Sequence, residues 1–428
     1  MFLKSENRFR KFFSTALFLA FVTFAGCGNQ SGKTPQAPKE EAKEAAKPKI
    51  DVAKYDQKYN DLALFLAGMQ VNSGSKLAKL TEDKGWQDHQ KVFAEKWAQF
   101  RKDRLDSVEI WQKAELSSFT DKAKTVFYPF GGPDFFFAYE FFPDAHNYIL
   151  QGLEPVYQLP DSITFNNTNL GAYLLQLQNS LNVLLKGGYF ITKEMNRDFN
   201  VGILRGVIPV MLLFMAKTDH TVLDVQYIYA DGDGNFLLDP ADLTSGNNST
   251  VKKQSKLPTD IIVDPKPQGN TKAKNSIKGV KITFTDSKKE QIKNLYYFST
   301  DTQNPSWDSR KSLQELVLSM KPLIFFTKAA SYLLHGQDFG NLRTFILDNC
   351  DYFLQTDTGI PLRYFKKDVW DMTFYGSYTK PIDTFRYAFQ QDLRDIYKDP
   401  AKVKHLPFGI CYNWEKGTSN MFAGVKKK

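Results

Sequence analysis

The chain of 428 residues carries 56 Lys and Arg against 47 Asp and Glu, a formal charge of +9, with 42% hydrophobic and 14% aromatic residues. The excess charge sits mostly at the ends: without the first 26 residues it falls to +6, and residues 50–428 hold +4. A near-neutral body of this size gives no electrostatic argument for nucleic acid, while 36 Phe and 20 Tyr can fill a large core.

The chain opens with Lys4, Arg8, Arg10 and Lys11, then an apolar run over 12–24, then Ala25-Gly26-Cys27. A basic flank, a short apolar stretch and small residues before the cut site make an export signal. The run is too short to span a hydrocarbon core ~30 Å thick. The segment Phe24-Ala25-Gly26-Cys27 resembles the lipobox of bacterial lipoproteins. That resemblance implies a signal peptide over 1–26 and acyl chains such as palmitate on Cys27, which becomes the mature N-terminus. It also implies an envelope location with the membrane as partner. Gly28 rather than aspartate follows Cys27, which in a two-membrane bacterium favours the outer membrane. Residues 28–49 lack Ile, Leu, Val and aromatics and read as a solvated tether, so 27–49 form a lipidated leash. Residues 50–428 then make one large domain or two packed subdomains divided near 240–277.

Along that body the periodicity predicts helix from 51 to about 116, with Trp86, Trp97 and Trp111 on neighbouring parts of one face. Residues 125–160 alternate Pro and Gly with short aromatic runs and predict strands and tight loops. Helices are expected at 168–186 and 189–199, and at 202–217, where Pro209 kinks or starts a buried helix. A hairpin turning at Asp231-Gly232-Asp233-Gly234 follows, then a long surface loop over 240–277. Strands are expected near 278–285 and 293–298, helices over 308–354 and 382–398, and a closing strand near 408–414. No regular βαβ rhythm or repeat emerges. The expected class is α+β, with mixed helices and short antiparallel strands.

The segment 127–157 holds the candidate catalytic residues Asp134, Glu140, Asp144 and Glu154 among Phe130, Phe135, Phe136, Phe137, Tyr139, Phe141, Phe142 and Tyr148. Aromatic rings stack on sugars, and glycoside cleavage needs two carboxylates ~5–9.5 Å apart. Aromatic burial raises a carboxyl pKa and suits it to act as an acid. The same acids also serve as caps and turn residues of a core segment. Asp231, Asp233, Asn235 and Asp242 sit at calcium-loop spacing, but Phe236 stands where the sharp turn needs glycine. Five scattered histidines without HExxH, CxxC or HxH spacing give no metal site, and no cofactor motif is present. No GxSxG elbow occurs, and Asp357-Thr358-Gly359 reads as a turn led by Asp357 rather than a protease triplet. Cys350 and Cys411 form one disulfide or remain two buried thiols.

The phrases YPFGGPDFFFA, ASYLLH (330–335) and GIPLRYF look similar to long uncharacterised bacterial envelope proteins, a resemblance spanning much of 55–428. It implies an α+β lipoprotein and no particular activity. The expectation is a binding or scaffold component of the envelope, with cell-wall glycan or other envelope proteins as partners. The competing expectation is an envelope glycan hydrolase acting on peptidoglycan or polysaccharide through carboxylates from among Asp134, Glu140, Asp144 and Glu154.

Overall fold

The computed structural model describes residues 48–166, 169–190, 204–230, 236–238, 277–412, 414–415 and 417–427. Cys27, nearly all of the tether, the helix expected at 189–199 beyond residue 190, the turn at Asp231-Gly232-Asp233-Gly234, Asp242 and the loop over 240–276 lie outside the described residues.

The strands are β1 Thr125–Tyr128, β2 Asn147–Gly152, β3 Val222–Ala230, β4 Phe236–Leu238, β5 Ile277–Thr285, β6 Ile292–Ser299, β7 Leu323–Thr327, β8 Tyr352–Gln355, β9 Trp370–Gly376, β10 Val403–Lys404 and β11 Asn420–Lys426. They form one eleven-stranded sheet in the order β10-β9-β11-β8-β7-β1-β2-β6-β5-β3-β4. The class is α+β. Its five central strands, β8, β7, β1, β2 and β6, run parallel to one another. Antiparallel pairs flank them, with β11 between β8 and β9 on one side and β5 and β3 following β6 on the other. The sheet ends on one side in β10, two residues long, and on the other in β4, of which Phe236–Leu238 are described.

The helices are α1 Lys58–Leu66, α2 Lys84–Phe100, α3 Asp106–Glu115, α4 Ser117–Thr120, α5 Phe135–Phe141, α6 Ser162–Asn166, α7 Leu170–Gly187, α8 Ile208–Lys217, α9 Asn304–Asp308, α10 Lys311–Ser319, α11 Gly340–Asn349 and α12 Gln391–Tyr397. Helices cover both faces of the sheet, and the strands alternate accordingly. Val126 and Tyr128 of β1, Ile324 and Phe326 of β7, and Leu354 of β8 join the core under α1, α2, α3, α5, α7 and α8. Phe127, Phe325 and Phe353 between them join the core under α9, α10, α11 and α12. A parallel strand buried on both faces has no polar side, so it reads in sequence as a short apolar run without period. That ambiguity hid β7 and β8 inside the stretch expected to be helical over 308–354.

Local sequence explains most helix boundaries. Asp83 accepts from the backbone N–H groups of Gly85 and Trp86 and starts α2. Trp86, Trp97 and Trp111 are all buried, as their spacing predicts. Pro209 lies in the first turn of α8 and starts it, where its missing N–H costs nothing; Ile208–Ala216 are all buried. Two expectations need correction. Residues 135–141 are helical, because Asp134 caps them and their aromatics are packed almost all round, leaving no amphipathic period to read. The closing strand is β11, Asn420–Lys426, and the described residues of 408–414 hold only a single bridge residue, Ile410. Cys350 and Cys411 are free thiols; they belong to different cores, on opposite faces of the sheet, and cannot meet.

Candidate functional site

Parallel strands end together, so their carboxyl ends bring several loops to one edge, where open α/β sheets bind ligands. Here the loops after β1, β2, β7 and β8 carry Asp134, Glu154, Lys328 and Asp357, each at most 5% exposed. Asp134 is the centre of the first group. Its Oδ2 lies 2.5 Å from Lys328 Nζ and accepts from the Tyr128 hydroxyl at 3.1 Å. Its Oδ1 accepts from the Phe137 N–H at 3.2 Å, which caps α5. Burial pushes the Asp134 carboxyl up while Lys328 pulls it down. Lys328 also donates to the Gly188 carbonyl at 2.5 Å and stands 4.4 Å over the Phe137 ring. One ammonium therefore ties β7, the cap of α5 and the end of α7.

Asp357 organises the second group. Tyr332 donates its hydroxyl to Oδ2 at 2.6 Å, and Asn420 donates Nδ2 to Oδ1 at 2.9 Å. The Asp357 N–H donates back to Asn420 Oδ1 at 2.8 Å, and Gln390 donates Nε2 to its carbonyl at 3.0 Å. Burial raises this carboxyl against those bonds. Gly359 N–H donates to the Thr356 carbonyl at 3.1 Å, so the 356–359 segment is the turn its sequence predicts. Glu154 lies between Gly132 and Gly152. A Cβ on Gly152 would stand 2.2 Å from its Oε2, and Tyr297 donates to its carbonyl at 2.7 Å.

The loops are strained. Of the seven non-glycine residues with left-handed φ among the described residues, Phe130, Ala329, Ser331, Tyr332 and Cys411 stand on loops at this edge. Each costs about 1–3 kcal/mol and persists only where the surroundings over-determine it. Half-buried aromatics rim the edge. Tyr412 donates to the Ala329 carbonyl at 2.9 Å and meets Ser331 Oγ at 3.0 Å, and its ring faces Phe385 at 5.9 Å and Tyr189 at 5.0 Å.

Two of the four candidate carboxylates come to one edge of the sheet and two do not. Asp134 and Glu154 share the carboxyl edge, on either side of Gly131-Gly132. Helix α5 carries Glu140 back toward the other end of the sheet, and Asp144 is exposed just before β2 begins. Six residues of strand separate Asp144 from the end of β2 that leads to Glu154. Burial raises Glu140 to about 7, with Arg101 opposing and Glu109 adding to the rise. A raised acid suits proton donation, but its neighbours come from α3 and the turn before it, not from the other candidates. Sequence reading missed Lys328, Tyr332 and Asn420 as site residues, because no local signal links the loop after β7 and the start of β11 to the loops after β1 and β8.

Cys411 is buried beside Lys328 and Asp357, and burial pushes its thiol up to about 12, which removes it as a thiolate nucleophile. Among the described residues no group of three or more His, Cys, Asp or Glu is placed to hold a metal, and no helix is long and apolar enough to cross a membrane. No family model, curated protein or solved structure matches the chain.

Proposed function

We propose that this chain is a lipid-anchored bacterial envelope protein whose body binds an envelope component and does not cleave it. The observation that carries the reading is the carboxyl edge, where strained loops with an aromatic rim are held by buried, internally paired charges. Strain of this kind accumulates where loops are fixed to present a surface. Asp134 and Asp357 are occupied by Lys328, Tyr332 and Asn420, so neither is poised as a free acid or base. Cell-wall glycan suits an aromatic rim, since rings stack on sugar faces. The anchor rests on the lipobox at Cys27 and the polar tether after it.

Two assays test the proposal. The full chain, mixed with purified sacculi, is expected to co-sediment with them without releasing soluble fragments. Release abolished by Glu140→Gln or Asp134→Asn would instead establish the hydrolase. For the anchor, the Cys27→Ser chain is expected to leave the membrane fraction; retention there overturns lipidation.

A further inference from the structure

Helices α2 and α3 are one rod interrupted at Arg101–Leu105, where the winding is π. Such turns recur at functional sites, because the extra residue is placed where an α turn would not put it. Within this turn Arg104 is 8% exposed; it donates to the Gly409 carbonyl and, at 2.6 Å, to the Lys186 carbonyl at the end of α7. Two carbonyls thus engage two of its five N–H donors. Neither partner is a carboxylate. A guanidinium stays charged when buried, so this site holds a cation whose partners carry only partial charge.

Arg104 lines a groove of ≈ 730 Å³ between the rod, the end of α7 and the 407–415 loop. Small-molecule sites typically measure ~300–1,000 Å³. Two further cations line it. Lys96 Nζ donates to Asn182 Oδ1 at 3.3 Å, and Lys186 Nζ stands 5.4 Å over the Trp414 ring. Its acids are Asp103, engaged by Gln99 at 2.6 Å, and the exposed Glu415. Phe100, Phe408 and Trp414 supply apolar surface. A planar fork with spare donors recognises a carboxylate in a bidentate manner, and an indole ring suits the apolar face of a sugar.

We infer that this groove binds an acidic saccharide, with its carboxylate on Arg104 between Lys96 and Lys186 and a ring against Trp414. The inference names a ligand class for the binding role proposed above and takes from that reading only the expectation of a glycan partner.

The test titrates the full chain in detergent with an oligomer of galacturonic acid and with a neutral glucose oligomer of equal length. Tryptophan fluorescence and calorimetry report binding. The acidic oligomer is expected to bind and the neutral one not. Lys186→Glu and Trp414→Ala should each weaken binding about tenfold. Both lie at the groove surface, so they remain informative if Arg104→Gln, which also loses its carbonyl contacts, fails to fold. No affinity for the acidic oligomer, or equal affinity for both, overturns the inference. The sacculus assay separates the two readings. Sacculus binding without uronate affinity leaves the envelope reading standing and removes the groove. Uronate binding lost in Lys186→Glu, without sacculus binding, keeps the groove and removes the wall as partner.

Discussion

At the scale of single residues, the ion pair of Lys328 and Asp134 matters more for what its loss would leave than for what it contributes. The pair is almost wholly buried, with side chains 1% and 2% exposed. Replacing such a pair by apolar groups is often neutral, whereas removing one partner strands a charge. Asp134→Asn leaves the Lys328 ammonium facing an amide and is expected to cost about 3–5 kcal/mol in urea unfolding. The double variant Asp134→Asn, Lys328→Met is expected to recover much of that loss. Equal destabilisation of single and double variants would show that the helix cap and the Gly188 contact, rather than the charge, dominate. Asp134 and Glu154 were legible in sequence as acids among aromatics and glycines. Their partners were not, because pairing across strands leaves no trace in local spacing.

At the scale of elements, the end of α7 shows how two buried cations can hold one helix. Lys328 donates to the Gly188 carbonyl and Arg104 to that of Lys186, where the helix dipole presents its negative end. Gly188 adopts φ +75° and packs 3.2–3.3 Å from Phe137 and Ile410, measured from an added Cβ. Gly188→Ala is therefore expected to cost about 1–2 kcal/mol from backbone strain alone, and more if those side chains cannot yield. An unchanged unfolding midpoint would refute this account of the cap. The amphipathic rod of α2 and α3, the β5–β6 pair and the Pro209 start of α8 were readable because period and punctuation survive there. The buried strands β7 and β8 and the aromatic-rich α5 were not, since strands buried on both faces, and a helix with only Tyr139 and Glu140 half-buried, display no clear period.

For the molecule as a whole, pH sets opposing demands. Burial lowers His89 and His335 to about 4 and His220 to about 3. His89 Nε2 meets the Leu66 carbonyl at 2.9 Å and Nδ1 meets Gln178 at 2.9 Å, an arrangement that fits the neutral ring. These depressed values contribute stability above the ordinary 6.5, which is lost as pH falls toward 4. Glu140 acts in reverse: its contribution is full below the ordinary 4.5 and is lost as pH rises through about 7. Protonation of the three histidines is expected to lower the urea unfolding midpoint from pH 6.5 to pH 4, against an opposing gain from Glu140 and from the carboxyls of Asp134, Asp224 and Asp357, which burial also raises. Glu140→Gln should stabilise by about 2–3 kcal/mol at pH 8 and by little at pH 4. His220→Phe should flatten the acid limb. A pH profile identical in all three proteins would exclude these groups as its cause.

The short outer strand β10 bears on how copies of this chain would meet if the proposed anchor holds them at one surface. Anchoring confines copies of a protein to two dimensions, where neighbours meet often and an exposed β-edge can recruit the next chain into a fibre. At one end of this sheet the two-residue β10 pairs with only Phe374 and Tyr375 of the seven-residue β9, so Trp370–Thr373 carry the edge there. Exposed Asp371 on that stretch, paired with Lys427 at 3.2 Å, puts charge on the edge, which works against the joining of a second chain.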